Sequence, residues 1–250
     1  MNKRGAVFFV LLAVATATEA QFMPTAQNAR QGALGGCHLP QKDEGTRIGT
    51  SWRQGFMAQG CATRRLDAAV NIGRRGFTHL GYSHFGNITY HEQQTTLAIG
   101  MDVCEWLRIV IDGIYSHLGT NDMHYGTQQW LDAGLCIQAT AGKKIDLYYD
   151  AQSRRWDNRR TIGGHAGFGY KAIPTLTTVG EIAFEERTRL RCGMEYLCWQ
   201  HLAIRGGLAT NPLVLTFGAG YASDHYHIDM STEVHPVLGL SPQITLGICL

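Results

Sequence analysis

Five polar residues near the end of the chain have types and a spacing that could do chemistry. The stretch from Tyr226 to Val234 has apolar side chains at every second position, and the other face carries His227, Asp229, Ser231, Glu233 and His235. Such residue types form Ser–His–Asp hydrolase sites and metal sites. Alternate residues of a strand lie about 6.5–7 Å apart, so neighbours on this face cannot hydrogen-bond directly. Catalysis would need partners from adjacent strands, and the alternative interpretation is a salt-bridged or solvated wall.

Charged residues with the same alternation occupy the preceding segments. Residues 176–185, 189–196 and 202–209 alternate apolar and polar positions, and a period of two is a strand signature. The polar face of these strands and of the last ones forms a predicted charge ladder of Glu181, Glu185, Arg189, Arg191, Glu195, Arg205, His227, Asp229, Glu233 and His235. Opposite charges across neighbouring strands stabilise a pair by about 0.2–1 kcal/mol. A ladder of mixed sign braces or blocks a lumen, whereas an open pore shows separated fields of one sign.

The composition narrows the classes of function. Of 250 residues, 17% are charged, 30 are glycine and only 6 are proline, which suits tight turns and unbroken strand ladders. The net charge of +2 is too small to indicate a nucleic-acid partner. The seven cysteines are odd in number and lack CxxC spacing, so neither a zinc site nor a disulfide framework is predicted. We therefore predict no catalytic residue, no metal and no cofactor.

The N-terminus has the pattern of a secretory signal. Lys3 and Arg4 precede the apolar run GAVFFVLLAVATA, and Thr18-Glu19-Ala20 offers small residues before Gln21. A membrane anchor is the alternative, but about 13 apolar residues are too few to cross a ~30 Å hydrocarbon core as a helix. We predict a signal peptide over 1–20, a periplasmic or plug segment over 21–45, and a barrel over 46–250.

From Thr46 onward the chain divides into about fourteen strand-like segments. Fourteen strands of ~11 residues with connections of ~4 and a short N-terminal segment account for the length after removal of the signal. Charges lie opposite the apolar stripes, as they do when the apolar face meets lipid and the polar face lines a lumen. The fold class predicted is all-β, a closed antiparallel transmembrane β-barrel of the bacterial outer membrane. Twelve strands, or a soluble two-sheet sandwich, are the alternatives.

The connections are predicted to alternate between short turns on the periplasmic side and longer loops outside. Loops are predicted at FGNITYHE, LGTNDMHYGTQQ, AQSRRWDNRR and HPVLGLSP. The third of these is a candidate partner contact, because Arg and Trp are favoured at interface hot spots. Its residues of interest are Arg154, Arg155, Trp156, Arg159 and Arg160. The alternative is a solvated loop that faces lipopolysaccharide.

Two stretches carry a resemblance to a known group. The segment ARQGALGGCHLPQ (Ala29–Gln41) is similar to the opening of the PorV/PorQ proteins, which belong to the broader FadL-like family of fourteen-stranded outer-membrane barrels. The segments 202–221 and 235–250 resemble the closing strands of the same family. Leu250 departs from the family's terminal aromatic residue, and the N-terminal segment is short for the hatch that gates hydrophobic transport in FadL-like proteins.

The resemblance implies a non-catalytic barrel that works with larger machinery. The first hypothesis is an accessory subunit of an outer-membrane secretion or assembly complex, either type IX-like or a barrel-assembly machine. The second is a FadL-like transporter of hydrophobic or small substrates. The third is a barrel enzyme acting on lipid through His227, Asp229 and Ser231. The partners expected are outer-membrane lipid, lipopolysaccharide and a larger protein complex.

Overall fold

Fourteen strands make up nearly all of the regular structure. The computed structural model describes residues 26–38, 45–120, 127–142, 144–156, 159–184 and 188–250, without the side chains of 154–161. Two short helical elements accompany the strands: helix α1 (Ala29–Ala33) and a 3-10 turn (Gly55–Met57). The strands are β1 (Arg47–Gln54), β2 (Ala62–Ile72), β3 (Gly76–Gly86), β4 (Tyr90–Cys104), β5 (Leu107–Thr120), β6 (Gln128–Ala141), β7 (Ile145–Trp156), β8 (Arg159–Ile173), β9 (Leu176–Phe184), β10 (Thr188–Trp199), β11 (Leu202–Ala209), β12 (Val214–Ala222), β13 (Tyr226–His235) and β14 (Gly239–Cys249).

The strands close into a single antiparallel barrel. Each strand pairs with its sequence neighbours, and β1 pairs with β14 over seven residue pairs from Arg47 and Cys249 to Arg53 and Gln243. Closure satisfies the backbone groups that an open sheet would leave at its edges. The prediction of a closed antiparallel barrel with fourteen strands is therefore confirmed, and the two-sheet sandwich and the count of twelve are wrong.

The outward face of the barrel is apolar. Side chains such as Leu80, Leu97 and Ile111 are more than half exposed, while their strand neighbours point into the lumen. An exposed apolar band around a closed barrel is the surface that lipid covers. No helix among the described residues is long and apolar enough to cross a membrane.

Two strands, β7 and β8, run further than predicted at the end of the barrel where the long loops were predicted. The end with connections 73–75, 105–106 and 223–225 is called the turn end, and the opposite end, with 87–89 and 236–238, the loop end. The predicted loop over 151–160 is wrong, because β7 continues to Trp156 and β8 begins at Arg159. Arg154, Arg155 and Trp156 pair in the ladder with Thr161, Arg160 and Arg159. A partner contact at these residues stays a prediction.

The described part of the N-terminal segment lies inside the barrel. The side chains of Ala29, Ala33, Leu34 and Cys37 are buried against the lumen wall, and α1 packs mainly on β12 and β13. Asn28 caps the helix by accepting a hydrogen bond from the Gln31 backbone N–H at 2.9 Å. We call residues 26–38 the plug. The predicted signal peptide lies outside the described residues and stays a prediction.

Candidate functional site

Inward-facing glycines form the seat on which the plug rests. A Cβ atom added at Gly193 would lie 2.7 Å from Leu34 Cα, and one at Gly218 would lie 2.5 Å from Ala33 Cβ. At Gly207 it would overlap the Gly35 nitrogen and lie 2.6 Å from the Leu34 carbonyl carbon. Three adjacent strands, β10, β11 and β12, thus expose bare backbone where the plug backbone approaches the wall. Any side chain at these positions would exclude the plug.

Hydroxyl groups of the wall satisfy backbone groups of the plug. Thr216 Oγ1 accepts a hydrogen bond from Gly35 N at 3.0 Å and donates one to Ala33 O at 2.9 Å. Ala29 N donates to Thr245 Oγ1 at 2.8 Å. These bonds matter because α1 is only five residues long and leaves most of its terminal backbone groups without intrahelical partners.

A chain of alternating charges fastens α1 to the wall. Arg30 donates to both carboxylate oxygens of Glu195, at 2.9 and 2.8 Å. Arg205 donates to Glu195 at 2.6 Å and to Asp229 at 2.5 Å. Burial lowers the pKa of the Arg30 guanidinium, the Glu195 carboxylate raises it, and the net shift is upward. The bidentate geometry makes this the strongest kind of side-chain pair.

A second cluster, centred on Glu181, fastens the end of the plug. Its carboxylate accepts hydrogen bonds from Arg191 Nη1 at 2.6 Å, from Tyr148 Oη at 2.7 Å and from the His38 backbone N–H at 2.7 Å. The Nδ1 atom of His165 lies 3.4 Å from the same carboxylate. The cluster is buried and includes groups from the four strands β7 to β10 and from the plug. It therefore joins the end of the plug to the wall beside the glycine seat, since Arg191 and Gly193 lie two positions apart on β10.

The Glu181 cluster also has the composition of a metal site. Ligand atoms of His38, His165 and Glu181 lie within 4.8 Å of one another. However, Arg191 Nη1 already contacts the carboxylate of Glu181 and lies 3.5 Å from His38 Nδ1. A fixed positive charge at that position opposes a divalent cation. The hydrogen-bond donors of Arg191, Tyr148 and His38 therefore suit a carboxylate, and Glu181 supplies that carboxylate.

Half of the predicted charge ladder meets in these two clusters. Glu181, Arg191, Glu195, Arg205 and Asp229 are buried on the inward face, and Glu181–Arg191 and Glu195–Arg205 are cross-strand partners.

The other members of the ladder lie apart. Glu233 pairs with Arg53 at 2.5 Å, and His235 Nδ1 accepts from the backbone of Leu238 at 3.0 Å. His227 lies opposite Gly247, and Arg189 Nε has no hydrogen bond to a described residue. Glu185 lies outside the described residues.

The hydrolase interpretation lacks the contacts it needs. Asp229 accepts from Arg205, and the buried Ser231 Oγ has no hydrogen bond to a described residue. A triad requires the serine and the carboxylate to bond to one histidine. Strand β13 instead packs against α1 of the plug.

Sequence reasoning missed four residues of the site: Arg30, His38, Tyr148 and Thr216. Only one signal could have indicated the seat, namely the glycines at inward positions of β10, β11 and β12, which leave room for another backbone.

Beside the plug the lumen keeps an open cavity of about 130 Å³. Gln27 and His38 border it from the plug, and strands of the β1–β8 side form most of the rest. Fourteen of its sixteen lining residues have polar side chains, and Ala26 and Ile114 are the exceptions. A cavity with such a lining holds water. The plug thus covers the β10–β14 side of the lumen and leaves a polar cavity on the other side.

The architecture can be compared with known proteins. No family model and no curated protein matches the sequence. Among solved structures, the Ralstonia pickettii toluene transporter TbuX is similar, with a TM-score of 0.65 and 10% identity over 91% of this chain and 98% of that one. A mutant of the TodX monoaromatic hydrocarbon channel reaches 0.61 with 11% identity, over 90% and 98% of the two chains. The CymD monoaromatic hydrocarbon channel reaches 0.57 with 12% identity, over 89% and 92%.

The barrel shares its fold with this transporter and these channels. The FadL-like part of the sequence resemblance is therefore confirmed for the fold, and the PorV/PorQ assignment has no support among these structures.

Proposed function

We propose that the protein is an outer-membrane channel through which small polar solutes pass beside, or after displacement of, the luminal plug. One observation carries the proposal: a closed membrane barrel holds its own N-terminal segment in the lumen and leaves a polar cavity alongside it. The similarity to a transporter and to hydrocarbon channels supports a transport role over a purely structural one.

The cavity lining favours polar solutes over hydrocarbons. An empty cavity of about 150 Å³ holds benzene when its walls are apolar. Here Ser83, Gln94 and Thr96 face the space, and an aromatic ring would remove their water without replacing the hydrogen bonds. The substrates named for the similar channels therefore do not suit this cavity, although the barrel is alike.

The strand ladder also favours a route along the barrel axis. A lateral exit for apolar substrates needs a kink or a gap between strands. In the described ladders the three register shifts lie at Asp102/Cys104, Lys171/Ile173 and Leu197/Trp199, all at the turn end. The β1–β14 seam is continuous over its seven pairs.

The accessory-subunit hypothesis has no specific contact in its favour. It depends on the PorV/PorQ resemblance, and the similar structures are a transporter and channels by name. Association with a larger complex stays a prediction.

Liposome swelling tests the proposal. Purified barrel is reconstituted, and the rates for glycerol, pentoses and a disaccharide are compared with those of protein-free liposomes. The double variant Glu181→Gln/Glu195→Gln loosens both plug clusters, and we expect it to admit these solutes several-fold faster. The control is Asp102→Asn, which breaks the partly exposed pair with Arg108 away from the plug. Swelling no faster than in protein-free liposomes, for wild type and double variant alike, would exclude a channel.

A further inference from the structure

A row of polar side chains crosses the lipid-facing surface of β2 to β6. Cross-strand partners connect Arg64 to His84, His84 to Gln93, Gln93 to His117 and His117 to Gln129. All five residues share the outward parity of the apolar band and lie near the loop end. His91 adds a further imidazole: its ring centroid is 6.1 Å from that of His84 and 5.8 Å from that of His117. We call Arg64, His84, His91 and His117 the basic row.

The next outward row toward the turn end fixes the depth of the basic row. It runs from Thr50 through Leu66, Tyr82 and Thr95 to Tyr115 and Leu131 by the same cross-strand pairing. Tyrosines on the lipid face mark the level where hydrocarbon gives way to headgroups. His84 and His117 each lie one outward step beyond a tyrosine of their own strand, Tyr82 or Tyr115, on the side of the headgroup phosphates.

The charge of this surface has one sign. The carboxylates of β2 to β5 are Asp67, Glu92, Asp102 and Asp112, and all four have the inward parity. The outward face of these strands therefore presents donors without acidic neighbours. His117 Nδ1 is buried and has no hydrogen-bond partner among the described residues. A buried imidazole nitrogen in that state is a place for an additional ligand.

A crevice beside the row has the shape and chemistry of a lipid site. It has a volume of about 320 Å³, and Arg64 and His84 border it together with Leu66, Tyr82 and Thr50. A headgroup phosphate above Leu66 and Tyr82 can accept hydrogen bonds from the guanidinium and the imidazole. The acyl chain of the same lipid then follows the apolar side chains toward the bilayer centre.

We propose that the basic row and this crevice bind a phosphate-bearing lipid headgroup of the outer leaflet. Arg64 supplies the fixed positive charge at the crevice, and His84 donates an N–H group to a phosphate oxygen. His91 and His117 extend the basic surface toward β5. The occupant is a lipid phosphate, preferably a monoester with its additional charge. A cationic residue on the lipid face is tolerated near the interface far better than at the midplane, so the site is compatible with a stable barrel. The proposal is independent of the transport function.

Lipid binding by the full-length barrel tests the site. Detergent-solubilised protein is titrated with dioleoylphosphatidic acid at pH 6, and bound lipid is counted by native mass spectrometry. Arg64→Gln/His84→Gln should weaken the apparent affinity at least tenfold. The matched control Arg74→Gln/Arg75→Gln removes two cationic side chains at the turn end and should leave this binding unchanged. Thr50→Trp fills the crevice but keeps every charge, and it should weaken binding as well.

Three results would overturn the proposal. Equal losses in the two double variants would reduce the effect to general electrostatics. Equal affinity of the wild type for dioleoylphosphatidylcholine would remove the requirement for an anionic phosphate. Displacement of the lipid by millimolar inorganic phosphate would make the site one for free anions. Gel mobility with and without heating verifies that each variant is folded. If Arg64→Gln/His84→Gln does not fold, Thr50→Trp still tests the site.

Discussion

At the scale of single residues, Glu181 connects three neighbouring strands and the plug. Side chains from β7, β8 and β10 and the backbone of the plug all converge on it. Removing one partner of a buried pair leaves the other charge without compensation, which costs more than the pair contributes. Glu181 is therefore a point where a small chemical change has a large structural effect.

We expect Glu181→Gln to lower the free energy of unfolding by about 3 kcal/mol, because Arg191 keeps its charge in a buried site without the carboxylate. Urea unfolding in lipid vesicles measures the change. The control Glu233→Gln breaks the less buried pair with Arg53 and should cost about 1 kcal/mol or less. Equal costs for both substitutions would contradict the role given to Glu181.

Cys37 reports on the state of the plug. Burial raises the pKa of its thiol, the Glu181 carboxylate adds to the shift, and the side chain is fully buried. The thiol therefore stays protonated at pH 8, where an exposed cysteine is partly thiolate. In a variant that keeps only Cys37, we expect labelling by maleimide at pH 8 to be at least a hundredfold slower in the folded barrel than in urea. Labelling at the unfolded rate would place Cys37 outside the lumen.

At the scale of elements, the strands were predictable and the plug contacts were not. The period of two shows which face of each strand is polar, so the inward position of Glu195 and Arg205 follows from sequence. The end of β7 was mistaken for a loop, because the arginine-rich stretch around Trp156 lacks the apolar alternation even though its backbone stays in the ladder. Arg30 could not be assigned a partner, since no local pattern states where a detached segment docks.

Two neighbouring glycines of β11 test the seat. At Gly207 a Cβ would meet the plug backbone, whereas at Gly206 it would point to the lipid side and find only Thr216 O, at 3.8 Å. We expect Gly207→Ala to displace the plug, to accelerate Cys37 labelling at least tenfold and to speed liposome swelling. Gly206→Ala should change neither rate. If both alanine variants behave like the wild type, the plug does not rest on this seat.

At the scale of the whole molecule, the outer surface of the barrel is an apolar band, and on β2 to β6 this band ends at a polar row near the loop end. The position of this band follows from the cross-strand register, which keeps the outward-facing apolar residues of neighbouring strands side by side around the barrel. On these strands Tyr82 and Tyr115 mark the edge of the band, and the basic row lies beyond them toward the loop end. The extent of the apolar band determines where charge is tolerated on the outer surface, because the cost of a lipid-facing cation depends on its depth in the bilayer.

Two outward positions of β4 test the depth of the band. Leu97 lies in the band and Gln93 lies in the polar row. We expect Leu97→Arg to lower the free energy of unfolding by about 2–4 kcal/mol and Gln93→Arg by about 0–1 kcal/mol. Unfolding in vesicles of one lipid composition compares them directly. A larger cost at Gln93 would shift the bilayer toward the loop end and remove the basic row from the headgroup level.

The attachment of the plug to the last strands has a consequence for biogenesis. Ala29 bonds to Thr245, 216 positions further along the chain, and Arg30 needs Glu195 and, through Arg205, Asp229. The plug can therefore reach its final place only after the strands that follow it in the chain and bind it, β10, β11, β13 and β14, have folded. Closing so long a loop is slow. Until then the plug is not bound to the lumen wall, and every newly inserted molecule passes through a stage in which the plug does not fill its part of the lumen.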